Sequence, residues 1–188
     1  MKDQKEKWEI VNSESVYKDP WIRLRVDSVR RQNGLESGYS VVELKGGVAV
    51  VALTPEENIY LVGQYRYPID LYSWEIPQGA FTNFDHNESP IEIAKKELSE
   101  ETGLSAKTWH KLGVVHTLNG STNDVVHLFL AQDVTEGVAH PDITENIQVK
   151  KVDFAEFNKM IKKEEITDAA TVAAVLLAEK LIKSRKSE

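Results

Sequence analysis

GAFTNFDHNESPIEIAKKELSEETGL, residues Gly79 to Leu104, concentrates more acid in one predicted helix than a fold requires, and the rest of the chain reads as its scaffold. Ser89 is a suitable N-cap, Pro90 suits the first helical position, and Glu92 stands three residues after the cap, where a capping box places its acid. Gly103 accepts the left-handed conformation that ends a helix, so the predicted run is about three and a half turns long. At roughly 100° per residue, Ile91, Ala94 and Leu98 share one sector while Glu97, Glu100 and Glu101 share the neighbouring one. The apolar stripe is expected to face a core, with the acids along its rim.

Glu97 and Glu101 form an i, i+4 pair of like charge, which costs an isolated helix roughly 0.2–0.5 kcal/mol, and Glu100 adds to the crowding. Lys96 lies four residues from both Glu92 and Glu100 and offsets only part of this repulsion. A divalent metal would offset more. Carboxylates are hard oxygen ligands and the chain has no cysteine, so Mg²⁺, or alternatively Mn²⁺, is the guest such a cluster would take. The competing explanation is an ordinary solvated acidic face, and helix geometry does not decide between them.

KELSEETGL, Lys96 to Leu104, resembles the core of the Nudix box: a basic residue and a glutamate, an apolar position, any residue, two glutamates, any residue, glycine and an apolar position. Gly79 stands where the box has its first glycine and Glu88 where it has its first glutamate. The sequence departs from the pattern twice. Lys96 replaces the usual arginine, keeping the charge but losing the planar fork. The gap from Gly79 to Glu88 is three residues longer than the box's standard five, an insert within Phe81–Asn87 that falls in the loop before the helix.

The 188 residues suit one domain with a sizeable core, here expected as an N-terminal strand unit (1–45) followed by a catalytic core (46–188). A net charge of −7 argues against a nucleic-acid surface. Absence of cysteine excludes disulfides and thiolate metal sites, the opening MKDQKEKWEI is unlike a signal peptide, and no apolar run is long enough for a membrane span. The expectation is a cytoplasmic protein with neither nucleic acid nor membrane as partner.

Along the chain, Trp8–Val11 suggests a short strand, Trp21–Arg31 alternates as a half-buried strand, Asn33-Gly34 is a hairpin turn, and Tyr39–Leu44 returns. Tyr17 and Trp21 are aromatic residues suited to stacking on a base, to a subunit interface, or to ordinary packing. Val48–Leu53 is a continuous apolar run, the signature of a strand covered on both faces, and Ile59–Tyr65 follows it. Trp109–Leu118 and Val125–Ala131 predict two strands around the polar loop Asn119–Asp124, in which Gly120 and Ser121 suit either substrate wrapping or a plain hairpin loop. Gln132–Thr144 reads as a long acidic loop and Ile147–Phe154 as a strand. Ala155–Lys163 suggests a short helix, and a last helix is capped at Thr167-Asp168, with Ala169, Val172, Ala173, Leu176, Leu177 and Leu181 as its core stripe. The expected class is α+β, with helices covering both sides of a mixed central sheet as an α/β/α sandwich and an antiparallel strand unit ahead of it.

The wider chain, from about Tyr17 to Ala178, is similar to the branch of the Nudix family that hydrolyses ADP-ribose and nucleotide sugars, through QYRYP (Gln64–Pro68), EIPQG (Glu75–Gly79), the box, and the late segment Glu164–Thr171. The resemblance implies a Nudix-type fold and a metal-dependent cut of the pyrophosphate in a nucleoside diphosphate sugar. It implies metals on Glu97 and Glu101 with Glu100 close by, and on the backbone carbonyl of Gln78. It further implies a substrate contact at Arg66 and a role for Glu75 in holding the nucleotide or the second subunit of a homodimer. A carboxylate must take the proton of the attacking water, and the resemblance points to a loop ending near Glu145, with Asp142 as the fallback and Glu100 as a box alternative. Members specific for ADP-ribose carry a proline in the loop after the box, whereas Asn119–Thr122 has none, so GDP-mannose or a broader set stands beside ADP-ribose. Another class is a binding or regulatory module of the same fold without catalysis. Such modules lose box glutamates, and Glu97, Glu100 and Glu101 are all present.

Overall fold

The computed structural model describes residues 7–140 and 146–185. In chain order the strands are β1 (Glu9–Lys18), β2 (Arg23–Arg30), β3 (Glu36–Glu43), β4 (Gly47–Ala52), β5 (Asn58–Arg66), β6 (Leu71–Glu75), β7 (Gln78–Ala80), β8 (Leu104–Val115), β9 (Val126–Glu136) and β10 (Gln148–Asp153). The helices are α1 (Pro90–Thr102), α2 (Phe154–Lys162) and α3 (Ala169–Arg185). The strands form three sheets, ordered β1-β2-β3, β10-β5-β6 and β7-β4-β9-β8. The four-stranded sheet is mixed, because β4 runs parallel to β9 but antiparallel to β7, while β8 and β9 are antiparallel.

All six residues of β4 are buried, as its uninterrupted apolar run predicts, and period-two alternation divides them between two cores. Val48, Val50 and Ala52 pack with Phe81, Ala94, Leu98 and Phe129 under α1. Ala49 and Val51 pack with Leu128, Phe157, Met160, Ala170, Ala174 and Ala178 under α2 and α3. Each fully buried leucine of these layers contributes about 1.5–3 kcal/mol relative to exposure. Helices therefore cover both sides of the central strand, the sandwich expected of the class.

The N-terminal sheet stands apart from those cores and is tied to the body through the loop after β8. Val42 N–H donates to the Ser121 carbonyl (2.9 Å), Leu44 N–H to Asn123 Oδ1 (2.8 Å), and the Tyr39 hydroxyl to the Gly120 carbonyl (2.5 Å). Strand β1 is ten residues long and exposed throughout, much longer than the expected Trp8–Val11. It buries no face, so no alternation marks it in the sequence.

Other elements also differ from expectation. The acidic stretch expected to be a loop after Ala131 instead continues β9 to Glu136, paired with β8 through Val134 opposite Ala106 and Glu136 opposite Leu104. The segment Leu71–Ala80, to which the sequence assigns no element, holds two short strands. Helix α1 begins at Pro90 and ends at Gly103 (φ 72°) as predicted, but Ser89 makes no side-chain cap. Its backbone carbonyl takes the N–H groups of Glu92 and Ile93 (3.1 and 3.2 Å), and Glu92 pairs with Lys95 (2.8 Å) instead of closing a capping box.

Candidate active site

Helix α1 delivers its three acids to different depths rather than to one rim. Glu101 is 5% exposed and its Oε2 accepts the backbone N–H of Gln78 (3.1 Å), which joins the helix to β7. Glu97 is half-buried against the same strand, where a Cβ added at Gly79 would collide with its carboxyl carbon. Glycine at position 79 is thus required by close approach and not by a turn. Glu100 is only partly buried and bonded to Lys96 (2.9 Å), whose ammonium also lies 3.5 Å from Glu97. The hydrogen bond from Lys96 to Glu100 raises the lysine pKa above its usual value.

Glu97, Glu100 and Gln78 line a cleft of about 810 Å³, within the range of small-molecule sites. Arg66, Lys45, Trp21 and Asp124 form other parts of its wall. Arg66 is held by Glu75 through two bonds (Nε to Oε1, 2.9 Å; Nη2 to Oε2, 2.5 Å), and these bonds raise its pKa further. Glu75, 5% exposed, sits behind Arg66 rather than on the cleft wall, and its Oε2 also accepts from Gln78 Nε2 (3.3 Å).

Trp21 is 73% exposed and lines the cleft, with Lys45 Nζ over its ring at 5.1 Å from the centroid. Tyr17 serves the turn that presents it. The Tyr17 hydroxyl donates to Asp19 (3.0 Å), and Asp19 Oδ1 accepts the N–H groups of Trp21 and Ile22 (2.7 Å each). Gly120 and Ser121 face the N-terminal sheet through the two bonds from β3 and are not cleft residues, so the polar loop clips strands together where substrate wrapping was one expectation. Glu145 and Asp142 lie outside the described residues.

Sequence reading missed Lys45 and what the insert contacts. Lys45 has no motif around it except the following Gly46-Gly47. The insert carries Phe84, whose ring lies under the Arg23 guanidinium (4.0 Å) and 5.8 Å from Lys45 Nζ, so the extra loop length is spent joining the box to the N-terminal sheet. Glu88, matched to the first box glutamate, accepts the N–H groups of Thr82 and Asn83 (2.7 and 3.3 Å) and fixes this loop.

Among the described residues, no three acidic or imidazole side chains converge as a ready-made metal cage. The donor chemistry still fits a hard divalent ion that keeps most of its waters and needs one or two carboxylates, since Glu97, Glu100 and Gln78 border one cleft and Lys96 already places a cation between two of the acids.

A model of the NUDIX domain matches residues 43–175, and a model of the nucleoside diphosphate sugar hydrolase N-terminal domain matches residues 8–42. The chain belongs to the Nudix family. An ADP-ribose pyrophosphatase of Bacillus subtilis (strain 168) is 34% identical over 177 residues, covering 93% of each chain. A methanol dehydrogenase activator of Bacillus methanolicus is 32% identical over 167 residues, 88% of this chain and 89% of that protein. A crystal structure of an ADP compounds hydrolase superposes with a TM-score of 0.81 at 20% identity, covering 95% of this chain and 96% of the other, a likeness of fold. Nudix hydrolases generally need divalent metal ions. No helix among the described residues is long and apolar enough to cross a membrane.

Proposed function

We infer that this Nudix hydrolase cuts the pyrophosphate bond of nucleoside diphosphate sugars, releasing a nucleoside monophosphate and a sugar phosphate. The carrying observation is the cleft itself, which the box acids Glu97 and Glu100 line together with Lys45, Arg66 and an exposed Trp21. Mg²⁺, with Mn²⁺ as the substitute, is the proposed cofactor, held by Glu97, Glu100, Glu101 and the Gln78 carbonyl. When bound it supplies positive charge against the pyrophosphate oxygens and activates a water for attack. Arg66, pre-oriented by Glu75, and Lys45 bind the anionic substrate, and the Trp21 face stacks on the base of either purine. ADP-ribose and GDP-mannose are the first substrates to try. Product release should require Mg²⁺ or Mn²⁺ and stop with a chelator, and a panel of nucleotide sugars left intact in Mg²⁺ would refute the assignment.

Glu145 is the proposed base, with Asp142 and then Glu100 behind it. The chain approaches that segment over the end of α1, where His140 N–H donates to the Glu100 carbonyl (2.9 Å), which supports a base from this stretch. Glu145→Gln should lower kcat about 10²–10⁴-fold while metal affinity stays unchanged. A kcat within about threefold of wild type would pass the role to Asp142 or Glu100.

The unit 1–45 is proposed to mediate a homodimer. Support comes from β1, the edge strand of its sheet among the described residues, exposed along all ten residues and bearing Ile10, Val11, Val16 and Tyr17. Light scattering should return twice the 21.2 kDa chain mass, and a fully active monomer at micromolar concentration would rule the dimer out.

A further inference from the structure

The late segment Glu164–Thr171 is remote from the box in sequence, yet its end meets the strand that faces α1. Asp168 Oδ2 accepts two bonds, one from the Thr171 backbone N–H (2.7 Å) and one from Gln78 Nε2 (2.8 Å). Thr171 is 0% exposed, and its hydroxyl oxygen accepts the Ile76 N–H (3.1 Å) and lies 3.3 Å from Gln78 Nε2. Between these residues Pro77 has no N–H to place, and its carbonyl accepts from Val50 of β4 (2.9 Å). The tetrapeptide Glu75–Gln78 is therefore held along its length by three different elements. Ile76 goes to α3, Pro77 to β4, the Gln78 side chain to Asp168 and Glu75, and the Gln78 backbone to Glu101 of α1.

Two functional walls hang on this segment. Glu75 orients Arg66 on one side, and the Gln78 peptide meets Glu101 on the other. The Gln78 amide donates to two carboxylates, so a glutamate at position 78 would bring a third negative charge and a methionine would leave both without this donor. We propose that Asp168 is a positioning residue of the active site. It clamps the Gln78 side chain, with Thr171 as the second jaw, and so fixes where the Gln78 peptide stands relative to Glu97 and Glu101. Losing a group that orients a metal ligand from behind typically costs about 10–100-fold in metal affinity or activity. The inference rests on the metal-dependent reading above.

The competing explanation is that Asp168 merely caps α3, and two variants separate the roles. Asp168→Ser keeps an oxygen able to cap Thr171 N–H but is too short to hold the Gln78 amide. Gln78→Met removes that amide while keeping the backbone N–H and carbonyl. Mn²⁺ binding to the intact protein, measured by calorimetry without substrate, should weaken about 10–100-fold in each variant. The double variant should be little worse than either single one, because both break the same link. The thermal midpoint of Asp168→Ser should stay near that of wild type. Wild-type Mn²⁺ affinity in Gln78→Met and in Asp168→Ser overturns the clamp while leaving the metal site standing. Failure of the wild type to bind Mn²⁺ overturns the metal reading and the clamp together. Should Asp168→Ser fail to fold, Gln78→Met decides alone.

Discussion

Helices α1 and α3 cover opposite faces of the same strand by different means. Helix α1 turns Ala94 and Leu98 into its core and carries charge along one side, sinking Glu101 to 5% exposure where β7 can reach it. Helix α3 turns Ala170, Ala174 and Ala178 inward, four residues apart, so that small side chains let it lie close to β4 and β9. Its large residues Leu176 and Leu177 remain 46% and 39% exposed. One helix is thus a packed support with chemistry at its margin. The other is a closely fitted cover whose contribution to the site passes through its first turn, at Asp168 and Thr171.

The largest effect should come from the α1 side. Glu101→Gln keeps an oxygen that can accept the Gln78 N–H, so the strap to β7 survives and the thermal midpoint should move little. The lost charge should lower turnover at least about 10²-fold, the scale of removing one group that stabilises developing charge. Wild-type turnover in Mg²⁺ would reduce Glu101 to a structural strap and leave Glu97 and Glu100 as the acids on the cleft wall.

This division also explains what the sequence made legible. The face of α1 stood out because Ile91, Ala94 and Leu98 contrast with the acids beside them, and Pro90 and Gly103 mark its ends. Strand β4 stood out because six buried residues in a row leave no polar interruption. In α3 nearly every residue from Ala169 to Ala178 is apolar, so periodicity has no contrast to work on and size decides instead. The expected stripe through Leu176 and Leu177 is off the buried face for that reason. Within the site, Arg66 and Gln78 were visible through short motifs. Lys45 and the clamp at Asp168 were not, since only the fold brings Lys45 to the cleft that Gln78 lines and Asp168 to the Gln78 side chain. Tyr17 and Glu75 were legible as important residues but not in their geometry, as each acts on a neighbour, Tyr17 on Asp19 and Glu75 on Arg66.

The α3 side should respond in stability rather than activity, and its response should run opposite to residue size. Ala174 is fully buried, so Ala174→Leu forces extra methyl groups against a filled layer and should cost about 1–3 kcal/mol in denaturant unfolding, with kcat unchanged below the transition. Leu176→Gln should be the mildest change, within about 0.5 kcal/mol, because the side chain already lies nearly half in water and the helix tolerates glutamine well. Were the leucine stripe the buried one, the ranking would reverse. Truncating a core leucine costs roughly 2–5 kcal/mol and a buried amide without partners adds to that, whereas an outward Ala174 would accept leucine freely. Measuring both variants in one urea series separates the alternatives by the sign of their difference, which does not depend on extrapolating either curve to water.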